Sequence, residues 1–123
     1  MKETITLSVF KMVGSHLCLA SDDGEKVHNL IAATLRERRS ATVSFLHVSS
    51  LTAAFLNAAI GQLYGTFSEE RIRAKLRVKD MQPDDLALLK RVVDTAKQYF
   101  KDPKRFNRAV QEAIEDRGDA RKR

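Results

Sequence analysis

The side chains whose types could do chemistry are His16, His28, His47 and Cys18, together with the acidic pairs Asp22-Asp23 and Asp84-Asp85. His16-x-Cys18 would set two soft ligands on one strand face. A tetrahedral zinc site needs four ligands, and no Cys-x-x-Cys or His-Glu-x-x-His accompanies them, so no metal site is expected. Cys18 lies in the apolar run His16-Leu17-Cys18-Leu19, where a thiol behaves as a small core residue rather than a nucleophile. Both acidic pairs stand where helix starts favour negative charge, which accounts for them without general acid–base work. Gly61 and Gly65 fit neither phosphate-cradling glycine pattern. No enzymatic activity and no cofactor are expected.

Charge gives a second line of argument. The chain has 123 residues, with 22 Lys/Arg against 16 Asp/Glu, a net charge of +6, and residues 101–123 hold half of that excess. A basic chain can attract nucleic acid or an anionic surface. Here the signs are interspersed, and the stretches Arg36–Arg39 and Arg71–Arg77 lack the interleaved aromatics that stack bases. Nucleic-acid binding through Arg36, Arg38, Arg39 and the tail is therefore the alternative reading, and a solvated surface the main one. One cysteine excludes an internal disulfide framework and fits a reducing compartment. No run approaches the ~18 apolar residues of a membrane helix, and the first residues lack a signal peptide's apolar block. A cytoplasmic protein with no membrane contact is expected.

What remains is the junction Phe45-Leu46-His47-Val48-Ser49-Ser50-Leu51-Thr52-Ala53-Ala54-Phe55, with Asn57 beyond it. Sites in open α/β sheets gather where a strand gives way to a helix, and free N–H groups there attract anions or a partner's carboxylate. Ser49, Ser50, Thr52 and Asn57 are the candidate partner-binding residues. The same hydroxyls can cap the helix.

The elements that must position them follow from hydrophobic periodicity. Thr4 to Phe10 alternates as a half-buried strand, with a turn at Val13-Gly14-Ser15 and a return strand at His16–Leu19 completing a hairpin. Ser21 or Asp22 starts a helix whose stripe is Val27, Leu30, Ile31, Thr34 and Leu35. Ala41 to Val48 reads as a central strand, and Ala53 to about Gly65 as one helix whose Ala58, Ala59 and Gly61 let it approach the sheet. Ser68 caps a short helix over 69–75, and 76–79 is an edge strand. Pro83 opens a helix with the stripe Leu86, Leu89, Val93, Ala96 and Phe100. Asp102-Pro103 starts a terminal helix with Phe106, Ala109, Val110, Ala113 and Ile114 on one side, a surface that could join two copies, ahead of a fraying basic end. The order β-β-α-β-α-(α)-β-α plus a C-terminal helix specifies an α/β fold with a small mixed sheet of about four strands. Residues 1–101 form the domain, and 102–123 the terminal helix and basic end.

Val43-Ser44-Phe45-Leu46-His47-Val48-Ser49-Ser50-Leu51-Thr52-Ala53-Ala54-Phe55-Leu56-Asn57, followed by Ala59-Ile60-Gly61-Gln62-Leu63-Tyr64, resembles the bacterial STAS-like domain family of unknown function. Gly24 and Met81-Gln82-Pro83-Asp84-Asp85-Leu86 fit the same pattern, over roughly residues 4–100. The resemblance implies the fold of anti-sigma-factor antagonists, which are regulatory domains and not enzymes. It further implies a protein partner, a histidine-kinase-like ATPase, that phosphorylates a Ser or Thr at the start of the helix after the central strand. Ser44 stands where the family usually has Asp. Ala53 stands where antagonists carry their phosphorylated Ser, and Thr52 where they have Asp. Thr52 and Ser50 are thus the candidate phosphorylation sites, with Ser49 beside them.

Overall fold

A computed structural model of the chain describes residues 3–101. The expected terminal helix and basic end lie outside them. Three strands, β1 (Thr4–Ser8), β3 (Ser40–Ser44) and β5 (Leu76–Lys79), form one sheet in the order β1-β3-β5. Both pairings are parallel, with Thr4 opposite Ser40 and Ala41 opposite Leu76. Central β3 buries Ala41 and Val43 completely, while on edge strand β5 Arg77 and Lys79 are exposed and Leu76 and Val78 half-buried.

The N-terminal hairpin does not form. After β1 the chain turns into a five-residue helix, α1 (Val9–Val13). Ser8 caps it, its hydroxyl accepting the Lys11 N–H at 3.2 Å. Gly14 closes it in the left-handed conformation (φ 81°), its N–H bonding the Phe10 carbonyl at 2.8 Å. A hydroxyl cap and a glycine six residues later are a helix's two terminators; here they override the strand-like alternation of Val9 and Phe10. The chain that follows, β2 (Leu17–Cys18), pairs with β4 (Ser50–Leu51) in a separate two-stranded sheet. That pairing is also parallel, so every strand pair among the described residues is parallel and none is mixed.

Helices supply the rest of the core. The sequence places α2 (Ser21–Arg36) correctly, and Val27, Ile31 and Leu35 are fully buried. Its N-cap is Ala20, so Ser21 and Asp22 lie inside the first turn. Leu30 is exposed, while Thr34 is buried with its hydroxyl donating to the Leu30 carbonyl at 2.9 Å. The helix expected over 53–65 breaks in two: α3 (Ala53–Ala59) stops at Ile60, and a 3-10 turn runs over Gly61–Gly65. Ala58 and Ala59 lie against α2 rather than the sheet, and Gly61 lies against Ala96. A Cβ on Gly24 would come within 2.5 Å of the Phe55 carbonyl and 2.8 Å of the Ala58 methyl, so glycine is what lets the two helices touch.

Helix α4 (Glu69–Lys75) is capped by Ser68, whose hydroxyl accepts the Arg71 N–H at 3.1 Å. Helix α5 (Pro83–Lys101) buries Leu89, Val92 and Ala96. This stripe is rotated from the expected one, leaving Leu86 exposed.

Candidate functional site

The junction between β3 and α3 lies at the carboxyl end of the three-stranded sheet. Strand β3 stops at Ser44, Phe45 turns inward, and Leu46 and His47 form an exposed turn with His47 at φ 72°. Ser49 and Ser50 then dock onto the loop before β2. The His16 carbonyl accepts the Ser49 N–H at 2.8 Å, the Ser50 N–H at 3.3 Å and the Ser49 hydroxyl at 3.2 Å. Thr52 is the N-cap of α3: its hydroxyl accepts the Phe55 N–H at 3.1 Å and donates to the Leu19 carbonyl at 2.6 Å. Two of the three candidate hydroxyls are therefore engaged in holding β2 and α3 together. That of Ser50 is exposed and forms no hydrogen bond with the described residues.

Beyond the cap, Ala53, Ala54 and Asn57 are exposed, while Phe55, Leu56, Ala58 and Ala59 are buried. The apolar repeat thus points into the core, and the outward face of α3 carries short side chains. Between α3 and α5 an open groove of about 390 Å³ is lined by Ala53, Asn57, Leu88, Arg91, Val92 and Thr95. Ala53 and Asn57 carry this groove along the outward face of α3 to the junction.

Ser44 and Asp80 form a contact that sequence reasoning missed. Ser44 is buried, and its hydroxyl donates to the Asp80 carboxylate at 2.7 Å while accepting the Leu46 N–H at 3.3 Å. Asp80 follows β5 in the left-handed region (φ 64°), which Asp tolerates better than most residues. A carboxylate at the end of β5 is thereby set against the end of β3. The signal was available: an Asp directly after an edge strand, parallel to a strand ending in Ser.

The side chains with chemical potential elsewhere are held apart or masked. Cys18 is fully buried and its thiol is pushed up to about 11, chiefly by desolvation and then by Asp23, so it is protonated at neutral pH. His16 lies in an exposed bend ahead of β2 and does not share Cys18's surroundings. His28 has a buried Nδ1 without a hydrogen-bond partner among the described residues, and burial lowers its pKa, with Arg36 adding to the effect. Asp22-Asp23 and Asp84-Asp85 sit in the first turns of α2 and α5. Among the described residues no three His, Cys, Asp or Glu side chains stand together as metal ligands, and no helix is long and apolar enough to cross a membrane.

The comparisons agree with this architecture. A family model described as a STAS-like domain of unknown function matches residues 23–86, from the first turn of α2 through β5 into α5. No curated protein and no solved structure matches the chain.

Proposed function

Since the chain belongs to this STAS-like family of unknown function, we propose that it is a non-enzymatic regulatory domain that binds a protein partner at the carboxyl end of its sheet. The docking surface is Ser50, the outward face of α3 at Ala53, Ala54 and Asn57, and the groove beside α5. The observation that carries this reading is the short-side-chain face of α3 opening directly onto a groove with an apolar wall and a cation, Arg91. A partner can approach the α3 backbone closely there, and Arg91 can meet a carboxylate.

The partner that the resemblance supports is a histidine-kinase-like ATPase, and Ser50 is the hydroxyl best placed to accept a phosphoryl group. Thr52 is the poorer acceptor, because modifying it would remove both the α3 cap and the bond to Leu19. The test is a calorimetric titration of a purified ATPase of that class from the same cell against the wild-type chain and Ala54→Arg. The exposed long cation should weaken binding at least about tenfold with the melting temperature kept. Equal affinity would place the interface elsewhere.

A further inference from the structure

The opposite end of the sheet carries an unassigned site. Because β3 and β5 are parallel, their first residues lie at one edge. Arg38 stands two residues before Ser40, and Lys75 directly before Leu76. Together with Arg71 and Ala74 of α4 they line an open cleft of about 280 Å³, so segments more than thirty residues apart in sequence converge three cations on one concavity. Arg71 is held in place: its guanidinium donates to the Leu35 carbonyl and lies over the Phe67 ring at 5.2 Å.

A cation near a helix C-terminus ordinarily serves the exposed carbonyls. Five of those carbonyls are already served. In α2, Ala33, Thr34 and Leu35 accept the N–H groups of Glu37, Arg39 and Arg38. In α4, Ile72 accepts the Leu76 N–H and Arg73 the Arg77 guanidinium at 2.8 Å. Neither Arg38 nor Lys75 has an ion-pair partner among the described residues. Of the cations flanking the cleft, Arg39 pairs with Glu3 and Glu37 and Arg73 with Glu69 at 2.9 Å, while Arg36 lies over the Phe67 ring at 5.9 Å.

The geometry points to a binding site for a compact phosphate group, held by the forked donors of Arg38 and Arg71 and the ammonium of Lys75. Guanidinium matches phosphate bidentately and an ammonium adds a point charge. Three like charges gathered around one cleft repel one another, and a dianion relieves that repulsion. The gathering of three cations around one cleft of about 280 Å³ favours a compact phosphate ligand over an extended polyanion, which is held by charges spread along its length. The site lies apart from the proposed docking face and stands or falls independently of it.

The experiment titrates the full chain with inorganic phosphate at constant ionic strength, by calorimetry and by thermal melting. Saturable binding is expected, with a melting temperature that climbs with phosphate as mass action requires. Arg38→Gln and Lys75→Gln should each weaken binding about tenfold, the loss of one charge-assisted bond, whereas Lys90→Gln on α5 should bind as wild type. Phosphate acting no differently from chloride, or binding indifferent to both cleft substitutions, overturns the proposal. Duplex DNA captured in a steeply salt-dependent way, with phosphate not bound, overturns it in favour of a polyanion track.

Discussion

The two ends of one three-stranded parallel sheet handle their polar side chains in opposite ways. At the carboxyl end Ser8, Ser44, Ser49 and Thr52 are all engaged in hydrogen bonds that cap helices or tie neighbouring segments, leaving Ser50 and a smooth helical face outside. At the amino end Arg38, Arg71 and Lys75 crowd a cleft, with only Arg71 tied to a carbonyl. A hydroxyl is small enough to complete a local backbone bond, so it is absorbed by the fold. Arginine and lysine carry long stems and full charges, and where no carboxylate lies in reach their heads stay in solvent. Residue type therefore predicts which polar groups the fold absorbs and which stay in solvent.

If the carboxyl end is structural, substitutions there should cost stability in proportion to what they bury. Phe55→Ala, which empties a fully buried site at the start of α3, should cost ~3–5 kcal/mol in chemical denaturation. A negligible change would move the core away from this end. Thr52→Ala should cost about 1–2 kcal/mol through loss of the cap and of the bond to Leu19, and Thr52→Ser should recover most of it. Ser44→Ala, breaking the link to Asp80, should cost about 1 kcal/mol, measurable as a shifted midpoint with unchanged slope.

His28 lies between the ends, on the helix that packs against α3. Its folded pKa is depressed, by burial first and Arg36 second, against opposing contributions from the Ala59 backbone and Glu25. The unfolded chain therefore binds more protons, and stability should fall as pH drops through the free-histidine value of about 6.5. His28→Gln should flatten that slope. The smallest effect belongs to the amino end: Arg38→Gln should alter stability by no more than about 0.5 kcal/mol, with any change favourable because a repelling charge is gone. A loss as large as that of Thr52→Ala would erase the contrast.

Much of this arrangement was legible from residue order. Ser68, Pro83 and the alternation of Leu76 to Lys79 marked α4, α5 and β5 because caps, fixed φ angles and period-two patterns act over a few residues. The junction was legible for the same reason: Thr52 sits where a cap must sit. What escaped is pairing. Whether Leu17-Cys18 lies beside β1 or beside Ser50-Leu51 is decided by where α1 sends the chain, and hydrophobic alternation is blind to that choice. The Ser44–Asp80 contact and the cationic cleft both depend on the parallel register of β3 and β5. Gly24 illustrates a middle case, since its presence was visible but the neighbour requiring it, the Phe55 carbonyl, was not.

Parallel pairing also sets a timetable. The Thr52 bond to Leu19 closes a separation of 33 residues, and the Ser44 bond to Asp80 one of 36. With no hairpin among the described strands, sheet formation must await long loops, whose closure entropy comes before any ladder contact rewards it. On a ribosome β1 leaves the exit tunnel with no partner until residue 40 has followed. The turn of α1 between Ser8 and Gly14 closes on local contacts alone, whereas β1 gains its ladder only once Ser40–Ser44 is available.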